Sequence, residues 1–442
     1  MKSQQGPNSW MILLIVVGFS FSTGYLIGFL GKDVLFTSDP EAALHLDSHG
    51  DQAVSRKIQA TSPLATVKDD RLSGHSVHTL VTSSGDGYQN FQTRIMYASY
   101  KMVQQMPGGE HMTGFTRILH RTVPDILMEE VPTFHVWDVL KPQCDGWCDY
   151  PVANRPNAIM QYFRAAAANR SMINGAWILM AECDYVWMAP ARAPGDAYDL
   201  TVPGWQFYFD YIMPQHADAA PHIQKLLGEG KNIATVPASG PAPAILRFDE
   251  WMVIGTDYEK ASATMEADEA MKKRLGWVRE MYAWDVAVAL HPEYKVLTEK
   301  PPQSRLMVQP PFDEGMFNAS FCHYTWGVLY HEGPPSKGGK QIYRWEKRDF
   351  SDIKHVIKPA KLPMPPPYRD GLILEFDAPL TPKRHDLNVL YLTQLNKAID
   401  NLTDLTEYAA KVNAEIIPAF KNSKEDRLTK MAMNNIRYMH WS

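Results

Sequence analysis

The chain has 442 residues, 45% of them hydrophobic and 21% charged, which is enough to bury one large core or two ordinary ones. A formal charge of −5 and a pI near 6.3 exclude a basic surface built for nucleic acid or anionic lipid, so no nucleic-acid partner is expected.

In chain order, the first signal is Trp10 to Leu30, an uncharged apolar run of about the length that spans a bilayer core. No small-x-small cleavage site follows it. Lys2 and the α-amine precede the run, while Asp33, Asp39 and Glu41 surround Lys32 after it. That bias favours a cytoplasmic amino terminus and a translocated body. The reading is a tail (1–9), a type II signal anchor (10–30) and a polar lumenal stem (31–76) without a sustained apolar period. Gly24 and Gly28 form a GxxxG that chance explains as well as helix pairing does. Sequons at Asn169-Arg-Ser171, Asn318-Ala-Ser320 and Asn401-Leu-Thr403 agree with a lumenal body.

From Val77 strands and helices alternate. Val77–Thr82 reads as a strand and Gly85-Asp-Gly87 as the loop after it. Phe91, Ile95, Ala98 and Met102 then mark one face of an amphipathic helix. Short apolar runs follow at Phe115–Leu119 and Thr133–Trp137, and Pro156 opens a helix to about Ala168. Alternation of this kind predicts an α/β sheet with ligands at the carboxyl ends of its strands. Residues 204–243, rich in aromatics, proline and glycine, read as the irregular wall of a cleft, and Asp257 to about Leu290 as mostly helical. A proline-rich stretch, Lys361–Tyr368, ends a body of 77–357. The remainder, 358–442, reads as a linker and helical extension whose Leu392, Leu395, Ile399 and Leu402 dock back or meet a partner.

The stretch richest in chemistry is Trp177-Ile-Leu-Met-Ala-Glu182-Cys-Asp184-Tyr-Val-Trp-Met188. On an extended strand, Glu182 and Asp184 share a side and can grip one cation. Carboxylates in so apolar a setting need a partner or a metal. The plain alternative is a strand ending in a solvated acidic turn. Of the four cysteines, Cys144 and Cys148 can close a small disulfide loop, whereas Cys183 and Cys322 read as buried thiols.

At these residues the chain resembles the hydroxyproline O-arabinosyltransferase and peptidyl-serine galactosyltransferase group of plant and algal Golgi enzymes. The resemblance runs from about His78 to His331. It is carried by His78-Thr-Leu, Gln92-Thr, Tyr150-Pro-Val-Ala-Asn154-Arg155-Pro156, Glu182-Cys-Asp184, Gly276-Trp-x-x-Glu280-Met-Tyr282 and Cys322-His323-Tyr324. Three departures stand out: Glu182 where the family has Asp, Arg155 where it has Lys, and Thr325 where Gly follows His-Tyr.

The resemblance implies an A-type glycosyltransferase fold, a Rossmann-like mixed sheet flanked by helices and preceded here by one transmembrane helix. It implies Mn²⁺ or Mg²⁺ held by Glu182, Asp184 and His323, with a UDP-sugar as donor. Arg155 and Asn154 would serve the diphosphate and its turn, and His78 and Thr79 would lie beside the uridine. Glu280 or Asp285 would act on the acceptor hydroxyl or the anomeric carbon. These two are five apart on a presumed helix, so both cannot face the cleft squarely. For His323 a hydrogen-bonded core histidine is an equal reading, and for Arg155 a solvated helix start.

The implied activity is transfer of L-arabinofuranose from UDP-β-L-arabinofuranose to hydroxyproline, with retention, on a hydroxyproline- or serine-rich protein in the Golgi lumen. Peptidyl-serine α-galactosylation is the neighbouring alternative. A non-catalytic lumenal sugar-binding or scaffold protein is the alternative from another class. Homodimer and enzyme complex both stay open.

Overall fold

The structure is a computed structural model that describes residues 68–146 and 148–422. The apolar run at 10–30 and most of the expected stem lie outside the described residues. Among those described, no helix is long and apolar enough to cross a membrane.

The central sheet has seven strands in the order β3-β2-β1-β4-β7-β6-β8. They are β1 (Val77–Ser83), β2 (Met112–His120), β3 (Thr133–Val136), β4 (Trp177–Ala181), β6 (Gly204–Phe207), β7 (Ala244–Arg247) and β8 (Val296–Glu299). β1 to β4 run parallel, while β7 is antiparallel to both its neighbours, β4 and β6. All residues of β1 and β4 are buried, which is why neither shows the polar alternation of a half-exposed strand. The expected mixed, parallel-rich α/β sheet is therefore present.

Helices cover the sheet. α1 (Gly87–Gln104) begins at Asp86, whose carboxylate accepts from Gln89 N, and buries Phe91, Ile95 and Ala98. α2 (Arg155–Ala168), α4 (Phe248–Ala267) and α6 (Arg279–Leu290) form another group. There Trp251 stacks on Phe163, packs on Trp284 and donates its indole N–H to Ile178 O. The wall at 204–243 contains β6 and one short helix, α3 (Ala220–Leu227), and α5 (Glu269–Leu275) bridges α4 to α6.

Two small sheets stand at the carboxyl end of β4. β5 (Tyr185–Trp187), β9 (Met307–Val308) and β10 (Phe321–His323) form one. β11 (Val328–Glu332), β12 (Lys340–Trp345) and β13 (Leu372–Ile373) form the other.

The segment read as a linker and extension packs on this body. β13 pairs with β11, and α7 (Ile353–Ile357) leads into it. α8 (Pro382–Asp400) buries Tyr391, Leu392, Leu395 and Ile399, and its Gln394 donates to Trp187 O. Buried Arg94 of α1 ties the region down by donating to the carbonyls of Val356, Ile357 and Thr403. The helix docks back.

Candidate active site

Because β1, β2 and β4 are parallel, their carboxyl ends share one edge, and the register Val81↔Ala181 puts Glu182 just past it. β4 stops at Ala181 and β5 starts at Tyr185, so Glu182-Cys183-Asp184 is the turn between them and not one extended strand. The two acids therefore converge by the turn's geometry, with Cys183 buried between them as a free thiol. β10 pairs antiparallel with β5 in the register His323↔Tyr185, which delivers His323 to the same turn.

His323 Nε2 lies 3.2 Å from Asp184 Oδ2 and 3.9 Å from Glu182 Oε2. Ligand-capable atoms of Glu182, Asp184 and His323 all lie within 4.8 Å of one another. Thr325, the departure from the family's glycine, places its hydroxyl 2.8 Å from the same His323 nitrogen and so fixes the ring. Two carboxylates on a turn and an imidazole from the strand beside it suit a hard divalent cation such as Mn²⁺ or Mg²⁺.

Each acid also has a cationic neighbour. Arg155 Nη1 is 2.7 Å from Glu182 Oε1, and Lys347 Nζ is 2.5 Å from Asp184 Oδ2. Burial alone would raise the Asp184 carboxyl; the Lys347 ammonium and His323 overturn that and hold it well below the usual carboxylate range. Arg155 sits at the start of α2, where the Tyr-Pro-Val-Ala-Asn segment winds as a single turn. Asn154 secures that turn by accepting from Lys141 N and donating to Lys141 O.

Glu280 is one of two expected carboxylates that does reach this site. It lies 3.7 Å from Arg155, accepts a short hydrogen bond from the Tyr258 hydroxyl, and is buried. Burial holds its carboxyl above the usual range against the pull of Arg155. Asp285, five residues on in α6, points elsewhere. Its carboxylate accepts from Ser239 N at 3.1 and 3.2 Å in a fully buried pocket of the core.

His78 and Thr79 are not brought to the site either. They lie at the amino end of β1, fully buried, with His78 Nε2 2.9 Å from Thr116 Oγ1 and His78 Nδ1 accepting from Asn174 N. His120 ends β2 at the carboxyl edge of the sheet. It is 5% exposed, and its Nδ1 meets no hydrogen-bond partner among the described residues. Its position as the last residue of an apolar strand was the available signal. Lys347 and Tyr258 gave none, being single residues brought in from distant segments.

Cys144 and Cys148 form the small disulfide loop that their spacing allows. Cys322, like Cys183, is a buried free thiol. The three sequon asparagines are exposed.

A family model described as the hydroxyproline O-arabinosyltransferase family N-terminal domain matches residues 77–297. The hydroxyproline O-arabinosyltransferase RDN2 of Medicago truncatula is 35% identical over 303 residues, covering 68% of this chain and 78% of that protein. PLENTY of Lotus japonicus, of the same description, is 32% identical and covers 83% of this chain and 91% of that protein. The chain belongs to the hydroxyproline O-arabinosyltransferase family. Hydroxyproline O-arabinosyltransferase 1 of Arabidopsis thaliana is 34% identical over 294 residues, covering 66% of this chain and 74% of that protein. Within this family member the matched segment contains Arg155, Glu182, Asp184 and Glu280, whereas His323 and Lys347 lie beyond it. Among solved structures, a glycosyltransferase involved in glycosylation of the major capsid of PBCV-1 overlaps with a TM-score of 0.29 at 11% identity, covering 57% of this chain and 93% of that chain. That overlap is too loose to bear on function.

Proposed function

We propose that this protein is a metal-dependent glycosyltransferase that moves L-arabinofuranose from UDP-β-L-arabinofuranose to hydroxyproline, or to a hydroxyproline-linked glycan, on secreted proteins. The observation that carries the reading is the convergence of Glu182, Asp184 and His323 at the carboxyl edge of a parallel sheet, with Arg155 and Lys347 beside them. Such a site offers a divalent cation its ligands and a diphosphate its counter-charges. When bound, the metal would supply Lewis-acid stabilisation of the UDP leaving group. Arg155 would hold phosphate oxygens through its planar fork, and Glu280, fixed by Tyr258, would face the sugar or acceptor side of Arg155. Anchoring by residues 10–30 in the Golgi membrane, with a lumenal body and retention of anomeric configuration, completes the proposal. Exposed sequons and a disulfide fit a lumenal body.

One observation favours a second reading. Both acids already have cationic partners, as they would in a non-catalytic relative whose lost metal had been replaced by ion pairs. The test is transfer. Full-length protein in detergent is incubated with Mn²⁺, a panel of UDP-sugars and a hydroxyproline-rich peptide, and the peptide mass is followed. A pentose increment that disappears with Asp184→Asn supports the enzyme. Donor binding without transfer to any acceptor supports the second reading and overturns the first.

A further inference from the structure

Lys347 is the residue of this site that the reaction scheme above uses least and the fold positions most firmly. It follows β12, and the pairing Val328↔Trp345 sets it opposite the segment that leaves His323. Its helical turn, Lys347–Phe350, is clamped to the start of α1. Phe350 stacks on Phe91 with ring centroids 4.7 Å apart, and the Ser351 carbonyl lies 2.1 Å from where a Cβ on Gly87 would stand. Gly87 is thus glycine because another strand of backbone occupies its side-chain space.

The lysine side chain is 4% exposed, and its ammonium rests on Asp184 Oδ2, the same oxygen that faces His323. A cation bound by Asp184 and His323 must compete with it there. The rings of Tyr88 and Tyr324 lie 6.0 and 5.8 Å from the ammonium and offer it no anion. Once displaced, a buried ammonium must find another negative charge or pay heavily in desolvation.

A divalent cation and a sugar-nucleotide diphosphate carry equal and opposite charges, so binding both leaves the net charge of Glu182, Asp184, Glu280, Arg155 and Lys347 unchanged, whereas either ligand alone shifts it by two. We infer that Lys347 is an exchangeable counter-ion: it holds Asp184 until the metal takes that carboxylate, then passes to the donor's diphosphate, so that metal and donor bind as a mutually dependent pair. This inference rests on the metal and UDP-sugar reading above and adds the residue that couples the two ligands.

The experiment measures binding and not turnover. Free Mn²⁺ is followed by electron paramagnetic resonance and UDP by calorimetry, each alone and with the other present, on the full-length protein. In the wild type each ligand should tighten the other by roughly 10-fold or more. Lys347→Met should bind Mn²⁺ alone roughly 10-fold more tightly, bind UDP in the presence of Mn²⁺ roughly 10-fold more weakly, and show little coupling. Lys347→Gln keeps a hydrogen bond to Asp184 without the charge and gives the same reading should the Met variant fold poorly. Lys347→Arg retains the charge and should retain the coupling. Folded Met or Gln variants whose Mn²⁺ affinity is unchanged or weaker would overturn the inference while leaving the donor reading standing. A wild type that binds neither Mn²⁺ nor UDP would bring down both.

Discussion

The Arg155 guanidinium lies 2.7 Å from the Glu182 carboxylate while a second carboxylate, that of Glu280, stands 3.7 Å away on the same nitrogen. One planar cation therefore bridges an expected metal ligand and a buried acid on a different helix. Both contacts fall on one nitrogen, so Arg155→Lys keeps the charge but gives up the second guanidinium nitrogen that a diphosphate would use. It is expected to lower kcat/KM by about 10- to 100-fold, or about 1.4 to 2.7 kcal/mol in transition-state stabilisation. Arg155→Met removes the charge and leaves Glu280 buried without it, which should cost about 3 kcal/mol of stability as well. Steady-state kinetics with urea unfolding separates the two, and equal stability of the Met variant and the wild type would show that Glu280 does not depend on Arg155.

The acids themselves should behave unequally. Asp184 serves His323 and Lys347 through one oxygen, so Asp184→Asn removes a proposed metal ligand and strands a buried ammonium together. Transfer should fall by at least about 100-fold, with reduced thermal stability. Glu182 is more exposed and holds only one close partner, Arg155. Glu182→Asp restores the family's residue and shortens the side chain by one methylene. It should retain Mn²⁺ binding and lose about 1 kcal/mol of stability as the Arg155 contact lengthens. Loss of Mn²⁺ binding in this variant would mean that the longer acid is itself required by the site.

Local pattern made the sheet legible in the sequence and left the site only half so. Apolar runs and helical spacing placed β1 and the helix at Pro156 within a residue and marked the cores of β2, β4 and the first helix, because packing and local preference agree there. The acidic pair was found through a premise the structure corrects: Glu182 and Asp184 meet across a turn and not along a strand. His78 was placed at the ligand because it opens the resembling segment, but a strand's chemistry lies at its carboxyl end, where His120 stands. Lys347 could not be read at all. Its closeness to Asp184 arises from the β11–β12 pairing and a glycine on α1, both long-range facts. Asp285 was separable from Glu280 by helix geometry alone, though geometry did not say which one faced the cleft.

Asp285 offers a test of that separation. Burial, helped by the negative charge of Glu280 and opposed by the Ser239 N–H, raises its carboxyl well above the usual range. Above the unfolded carboxylate pKa the folded state then binds the extra proton, so this group's contribution to stability falls as pH rises. Asp285→Asn is neutral throughout and can still accept from Ser239 N. It should match or exceed wild-type stability at pH 8, by about 1 kcal/mol, with kcat within a factor of about 3. A folded Asp285→Asn enzyme with kcat reduced 100-fold would return this residue to the reaction.

Buried histidines contribute to the response to acid. Burial pushes His78 and His120 down to about 3 and His135 to about 4. In His78 the reason is visible: Nδ1 accepts from Asn174 N, so a second ring proton would point at another N–H. A group depressed in the folded state contributes stability that is complete above its unfolded pKa, near 6.5. It is lost as pH falls, because the unfolded chain then binds the proton that the folded one refuses. Each such histidine costs about 1.4 kcal/mol per pH unit between about 6.5 and its folded pKa. Asp285 and Glu280, both raised, titrate with the opposite sign across part of this window. The clean quantity is therefore a difference between variants. Unfolding free energies of wild type and His78→Asn, measured at pH 7 and pH 5, should show the variant losing about 2 kcal/mol less on acidification. Equal losses in the two proteins would mean that His78 accepts its proton without opening the β1–β2 edge.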